Sequence, residues 1–133
     1  MQPKARHRNV IVREIAGEFV LYDEKTQRAH ELNAAAASVW RHCDAKTSIG
    51  DLAAALAIET ALPADEEVVH LALDQLSKAG LLEGPHEAFE ARMSRRQIVH
   101  RLGLAGSLAF LLPVVSTLVA PSPAMAQSVP PPG

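Results

Sequence analysis

The sequence predicts an α+β fold in which a three-stranded β meander is followed by three helices and then by a C-terminal hydrophobic helix. Three observations lead to this prediction. Runs of β-branched and aromatic residues, interrupted by turn residues, fill residues 9–32. Three segments with apolar residues at helical spacing follow, up to residue 80. A stretch of 19 uncharged residues then runs from 102 to 120.

The predicted strands are short and are separated by turn residues. They occupy NVIVREI, EFVLY and QRAHEL, with Ala16-Gly17 and the polar DEKT between them. A brief returning strand is also expected at residues 81–83, after the third helix.

The first two predicted helices begin at a side chain that can cap them, and the third begins at a run of acids. Asn33 precedes the Ala-rich AAAASVWRH, in which Trp40 is expected to be the main core anchor. Ser48, with an acid three residues later, begins IGDLAAALAIET. The third helix starts near Asp65 and two glutamates and ends before Gly80.

The third helix carries more apolar residues than one core stripe needs. Val69, Leu73 and Leu76 fall at core spacing. An adjacent face carries Val68, Leu71, Ala72 and Gln75. Either both faces are core, or the second face lines a groove that is open to a partner. The sequence leaves these two interpretations open.

Length and composition indicate one domain followed by a tail. We predict a flexible N-terminus at 1–8, a domain at 9–90 that folds without the tail, a basic linker and hydrophobic helix at 91–120, and a disordered proline-rich end at 121–133.

The charges are divided unevenly between the two parts. Residues 1–90 carry 15 acidic and 9 basic side chains, whereas residues 91–133 carry four arginines and no acid. The third helix also begins with Asp65, Glu66 and Glu67, unlike a recognition helix that contacts phosphates. We therefore expect no nucleic-acid binding, and a winged-helix DNA-binding regulator is a disfavoured alternative.

No residue pattern predicts catalysis. His42, Cys43 and Asp44 are adjacent, but consecutive residues at a helix end point in different directions, and no second cluster completes a metal site. Phosphate-binding loops, zinc-protease motifs and nucleophile elbows are absent from the sequence. We expect a binding module that is not an enzyme and has no cofactor or metal.

The run HELNAAAASVWRHCDAKTSIGDLAAALA, followed by EVVHLALDQLSKAGLLE, resembles the PqqD family over roughly residues 9–84. The matching features are Leu32-Asn33, the Ala-rich helix, Asp44 in the turn, the apolar stripe of the second helix, and the end of the third helix at Gly80-Leu81-Leu82.

This resemblance implies a small winged-helix-like domain that recognises peptides during the modification of ribosomally made precursors. In the family, a leader peptide adds as a strand beside the third strand and lies against the third helix. The domain presents the precursor to a modifying enzyme such as a radical SAM protein. The positions that would flank the leader are Arg28, Ala29, His30 and Glu31, with Val68, Leu71, Ala72 and Gln75 opposite.

The sequence departs from the family pattern at two places. Ala45 follows Asp44 where the family usually has glycine. The C-terminal tail is absent from the protein of pyrroloquinoline quinone (PQQ) synthesis. We therefore expect a relative that serves another peptide pathway, with the quinone-pathway protein itself as the alternative.

The tail allows four interpretations. Residues 102–120 would span about 28 Å as a helix, close to the ~30 Å core of a bilayer, with arginines on one flank. A membrane anchor that holds the domain at the cytoplasmic face of the inner membrane is therefore the favoured prediction, and a soluble cytoplasmic protein is the alternative. A helix that folds back on the domain, a displaced export signal and a leader-like segment bound in cis are the other three. The small residues Ala124-Met125-Ala126 also allow cleavage after Ala126.

Overall fold

The computed structural model describes residues 2–16, 18–84, 89–104 and 106–119. The predicted α+β meander with its three following helices is confirmed. These elements are β1 (Val10–Ile15), β2 (Glu18–Asp23), β3 (Arg28–Leu32), α1 (Ala34–His42), α2 (Ile49–Glu59) and α3 (Glu66–Lys78). Residues 81–83 form no strand, although Leu82 makes an isolated bridge to Ala5.

The C-terminal part of the chain adds three further elements. They are α4 (Arg95–Leu102), a 3-10 helix (Gly106–Leu111) and β4 (Val115–Val119). β4 pairs antiparallel with β3, so that the sheet has the order β1-β2-β3-β4. α4 and β4 both contact α3.

Asn33 and Ser48 cap their helices as predicted, and Asp65 caps α3. The side chains of Asn33, Ser48 and Asp65 each accept a backbone N–H from the first turn of α1, α2 and α3, respectively. Such side chains satisfy donors that have no partner within the helix. Gly80 follows α3 with a φ of +75°, which a residue without Cβ adopts readily.

The hydrophobic core lies where α1 packs on β2, β3, α2 and α3. Trp40 is 2% exposed and donates its Nε1–H to the backbone oxygen of Leu81 at 3.0 Å, as befits the predicted anchor. Ile98 of α4 and Leu112 belong to the same buried cluster. The core thus includes residues beyond 90, and folding of residues 1–90 without the tail stays a prediction.

The N-terminal segment, which we expected to be flexible, is held against the domain. The backbone N–H of Ala5 donates to the oxygen of Cys43, and that of Arg6 donates to the oxygen of Leu81, both at 2.8 Å. The Arg6 guanidinium also pairs with the buried Asp23 carboxylate at 2.8 Å. Residues 4–6 therefore join the end of β2 to the end of α3.

The predicted C-terminal hydrophobic helix and membrane anchor are wrong. Within the described ranges, the structure contains no helix with both the length and the apolar character needed to cross a bilayer. The predicted position at the cytoplasmic face of the inner membrane is corrected with it. Residues 120–133, with the possible cleavage site after Ala126, lie outside the described residues.

Local backbone chemistry explains why the uncharged stretch is not one helix. Gly103 adopts a φ of +63° and ends α4. Pro113 cannot continue a helix, and the β-branched run that follows it favours an extended strand. Leu112 is fully buried in the domain core. The core therefore provides this apolar side chain with the surroundings that a bilayer would otherwise supply.

The position where glycine is usual in the PqqD family has left-handed backbone geometry. Ala45 has a φ of +68°, which strains a residue with a Cβ atom. We expect Ala45→Gly to raise the free energy of unfolding by about 1 kcal/mol, since relief of strain exceeds the added chain entropy. Ala54→Gly, at an exposed helical position of α2, should lower it by about 1 kcal/mol. Urea unfolding of both variants checks the sign; destabilisation by both would contradict the strain argument.

Candidate peptide-binding site

The edge of β3 holds an extended segment of the chain. β4 lies on it in the register Leu32–Val115, His30–Thr117 and Arg28–Val119. The backbone N–H of Asn33 donates to the oxygen of Val114 at 3.2 Å. In an antiparallel ladder, this bond makes Leu32–Val115 a non-hydrogen-bonded pair, so the next pair, Glu31–Ser116, exchanges backbone hydrogen bonds.

Two side-chain amides hold the backbone that leads into β4. Gln75 of α3 donates from Nε2 to the oxygen of Pro113 at 2.7 Å and accepts the N–H of Val115 at 2.9 Å. Asn33 donates from Nδ2 to the oxygen of Leu112 at 2.8 Å and accepts the N–H of Val114 at 3.0 Å. These hydrogen bonds involve only backbone groups of the segment, so another extended segment could form them.

One side-chain contact joins the two strands. His30 Nδ1 lies 2.9 Å from Thr117 Oγ1. His30 is 1% exposed, and its Nε2 has no hydrogen-bond partner among the described residues. Burial lowers the pKa of His30 below its ordinary value, partly opposed by the negative charge of Asp23.

The lowered pKa of His30 predicts that the fold loses stability in mild acid. As pH falls from about 7 to about 5, the unfolded chain protonates this imidazole before the folded chain does, so the free energy of unfolding falls. His30→Gln, which removes the titration, should flatten this dependence in urea unfolding at several pH values. An unchanged slope would show that His30 is not its source. Asp23 does not titrate in this range, because the Arg6 guanidinium holds its pKa well below 3.8.

The proposed peptide-binding positions fall into three groups in the structure. His30 and Gln75 contact the chain segment on the β3 edge. Val68, Leu71 and Ala72 are buried in the hydrophobic cluster, with Leu71 8% exposed. The remaining positions pair with β4 through β3 and are partly or fully exposed: Arg28, Ala29 and Glu31.

The second face of α3 is buried in the presence of the tail. This observation agrees with the interpretation that both faces are core. Leu71→Asp would therefore place a charge in the core. If this variant lost partner binding, the loss could result from unfolding as well as from damage to a groove.

Two residues that bind the segment before β4 were not predicted to do so from the sequence. Asn33 was recognised only as a helix cap, although its amide also holds two backbone groups before β4. Arg95 donates to the backbone oxygen of Pro113 at 2.8 Å, and burial lowers its pKa. The sequence does contain a signal for the helix that carries Arg95, because Ser94 and Gln97 have capping-box spacing. The structure shows both hydrogen bonds of that box at the start of α4.

Two of the four arginines in residues 91–133 pair with acids near the start of α3. Arg92 pairs with Glu67, and Arg101 pairs with Asp65 at 3.2 Å. The basic segment around α4 thus lies on the acidic N-terminal end of α3. These ion pairs, together with buried Ile98, position the chain that leads to β4.

The adjacent residues His42, Cys43 and Asp44 do not converge on one point. His42 Nε2 lies 2.8 Å from Glu59 Oε1, whereas Asp44 accepts the backbone N–H of Lys46 at 2.8 Å. Burial raises the pKa of the Cys43 thiol to about 12. Across the described residues, no group of three or more His, Cys, Asp or Glu side chains could hold a metal ion.

A sheet edge that pairs with an added strand, beside a helix that contacts that strand, is the arrangement of peptide-binding domains that work by strand addition. Residues 18–82 match the model of the family described as Coenzyme PQQ synthesis protein D (PqqD). The match runs from β2 through α3 and supports, at the level of the family, a peptide-binding adaptor related to PQQ synthesis and peptide modification. Comparison with curated proteins and with solved structures found no match.

Proposed function

We propose that this chain is a non-catalytic adaptor that captures the leader of a ribosomally made precursor as a strand on β3. It then presents the precursor to a modifying enzyme, such as a radical SAM protein. The pairing of an extended segment on β3, with Gln75 of α3 bonded to its backbone, is the observation that carries this proposal.

The backbone of β3 and the side chains of Asn33 and Gln75, which we call the two sides of the groove, supply different parts of the recognition. The backbone of β3 provides affinity for any extended chain, whereas side chains of α3 and α1 fix where that chain begins. Gln75 and the capping residue Asn33 perform the second role, since their amides bond four backbone groups in succession.

The register identifies a substitution that tests strand addition. In the deduced ladder, the N–H of Glu31 points toward the added strand, and Glu31→Pro removes this donor. Glu14→Pro is the matched control. The bond from the N–H of Glu24 to the oxygen of Asn9, at 2.9 Å, sets the β1–β2 ladder so that the N–H of Glu14 faces outward from β1.

The experiment uses a precursor peptide and a maturation enzyme encoded by neighbouring genes. We expect the full chain to accelerate modification of the precursor, Glu31→Pro to abolish the acceleration and Glu14→Pro to preserve it. Titration of the chain with duplex DNA at low salt is the specificity control. Tight, salt-dependent DNA binding without any effect on the precursor would overturn the proposal in favour of a DNA-binding regulator.

A further inference from the structure

The segment on the edge of β3 belongs to the same chain as the groove. From Leu112 onward, the backbone of this segment forms hydrogen bonds with the side chains of Asn33 and Gln75 and pairs with β3. An incoming strand on the β3 edge would need the same donors and acceptors of Asn33, Gln75 and β3. The two strands therefore cannot occupy that edge together.

The position of α4 keeps this segment close to its site. Ion pairs and buried Ile98 hold α4 on α3, and Arg95 binds the backbone oxygen of Pro113. A binding segment joined to its own site by a short connection reaches an effective concentration on the order of millimolar. A peptide in solution at micromolar concentration would thus compete poorly.

We propose that residues 112–119 are a cis ligand of the β3–α3 groove, which an external leader must displace before it can bind. This inference rests on the proposed function. It also indicates what the leader should offer: an extended stretch whose backbone meets Asn33 and Gln75, with a serine or threonine opposite His30 in the place of Thr117.

The first test opens the groove within the full chain. Ser116→Pro removes an N–H that faces β3, whereas Ser116→Ala retains it, and the side chain of residue 116 is exposed. The probe is a fluorescent synthetic peptide with residues 111–119 and added lysines for solubility. We expect Ser116→Pro to bind it at least about tenfold more tightly than the wild type or Ser116→Ala does.

The second test closes the groove covalently. Glu31 and Ser116 are opposite each other on an exposed face, at a hydrogen-bonded pair whose Cα separation of about 5.5 Å suits a disulfide. In Glu31→Cys/Ser116→Cys, oxidation should reduce peptide binding at least tenfold relative to the reduced form, about the same factor as above. Buried Cys43, with its raised pKa, is a poor competitor for this oxidation.

The outcomes separate this inference from the proposed function. Equal binding by wild type and Ser116→Pro, no binding by a folded Ser116→Pro, or equal binding by the oxidised and reduced double variant would each overturn the cis ligand. Circular dichroism establishes whether each variant is folded, and the disulfide comparison replaces the first test if Ser116→Pro unfolds. If the tail peptide behaves as expected but the opened groove binds no precursor peptide, the proposed function fails while the cis ligand stands.

Discussion

Asp23→Ala is expected to lower the free energy of unfolding by about 3 kcal/mol. The Asp23 carboxylate is 1% exposed and accepts two hydrogen bonds from the Arg6 guanidinium, at 2.8 and 3.0 Å. It also accepts the backbone N–H of Lys25 at 3.0 Å in the β2–β3 turn. Removing the carboxylate leaves a largely buried guanidinium without its counterion and releases the N-terminal segment from the sheet.

The control for this prediction is an exposed ion pair of the same N-terminal segment. Lys4 and Glu83 approach to 3.5 Å, with side chains 55% and 50% exposed. Glu83→Ala should therefore change the free energy of unfolding by less than about 0.5 kcal/mol. Urea unfolding of both variants measures the contrast. If Asp23→Ala and Glu83→Ala lowered the free energy of unfolding by similar amounts, the buried ion pair would contribute no more than the exposed one, which would contradict the prediction.

Asn33→Ala is expected to lower the free energy of unfolding by about 2–3 kcal/mol, the second largest effect. One side chain caps α1, donates to Leu112 and accepts from Val114. Asn33→Ser retains an oxygen for the cap but lacks the amide N–H₂ group and the length to reach the tail. We expect a smaller loss for serine, about 1–2 kcal/mol, which is attributable to the tail contacts.

Amide hydrogen exchange separates the two roles of Asn33. In Asn33→Ser, exchange should become faster at Ser116 and Leu118, whose N–H groups face β3 in the deduced ladder, while α1 stays protected. Gln75→Ala should also accelerate exchange in β4, because Gln75 holds the same entry segment from α3. Unchanged exchange in both variants would show that the two amides do not hold β4 in place.

The parts of the fold that depend on local signals could be predicted from the sequence. Asn33 and Ser48 were identified as caps because a cap satisfies the first N–H groups of its own helix. The strands followed from β-branched runs between turn residues. The strain at Ala45 is visible only in the backbone angle, although the family preference for glycine pointed to that position.

The tail could not be predicted in this way, because its partner is distant in sequence. An uncharged stretch of membrane-spanning length can be buried in lipid or in protein, and composition does not distinguish the two. The prediction of a helix rested on the length and the lack of charge of this stretch, although Pro113 and the β-branched residues after it are compatible with an extended segment. The pairing of β4 with β3 joins residues more than 80 positions apart.

For the candidate site, the family resemblance gave positions that the structure places beside β4, whereas their role in peptide binding stays a prediction. The resemblance placed His30 and Gln75 beside an added strand, and both contact the chain segment that lies there. Leu71 shows what residue spacing cannot predict. Helical spacing identifies a second apolar face on α3, but it does not show what covers that face. The arginines before the uncharged stretch were interpreted as the flank of a membrane anchor, whereas the Arg95 guanidinium binds backbone oxygens near β4.

Isotope-filtered NMR can show whether the β3 edge binds a peptide as an added strand. The sample is isotope-labelled Ser116→Pro chain with an unlabelled precursor peptide. We expect a strong NOE between the Hα of His30 and an Hα of the peptide, since His30 lies at a non-hydrogen-bonded position where opposite Cα atoms are only about 4.5 Å apart. Peptide contacts confined to β1 or to the outer edge of β4, with none to β3, would contradict this expectation.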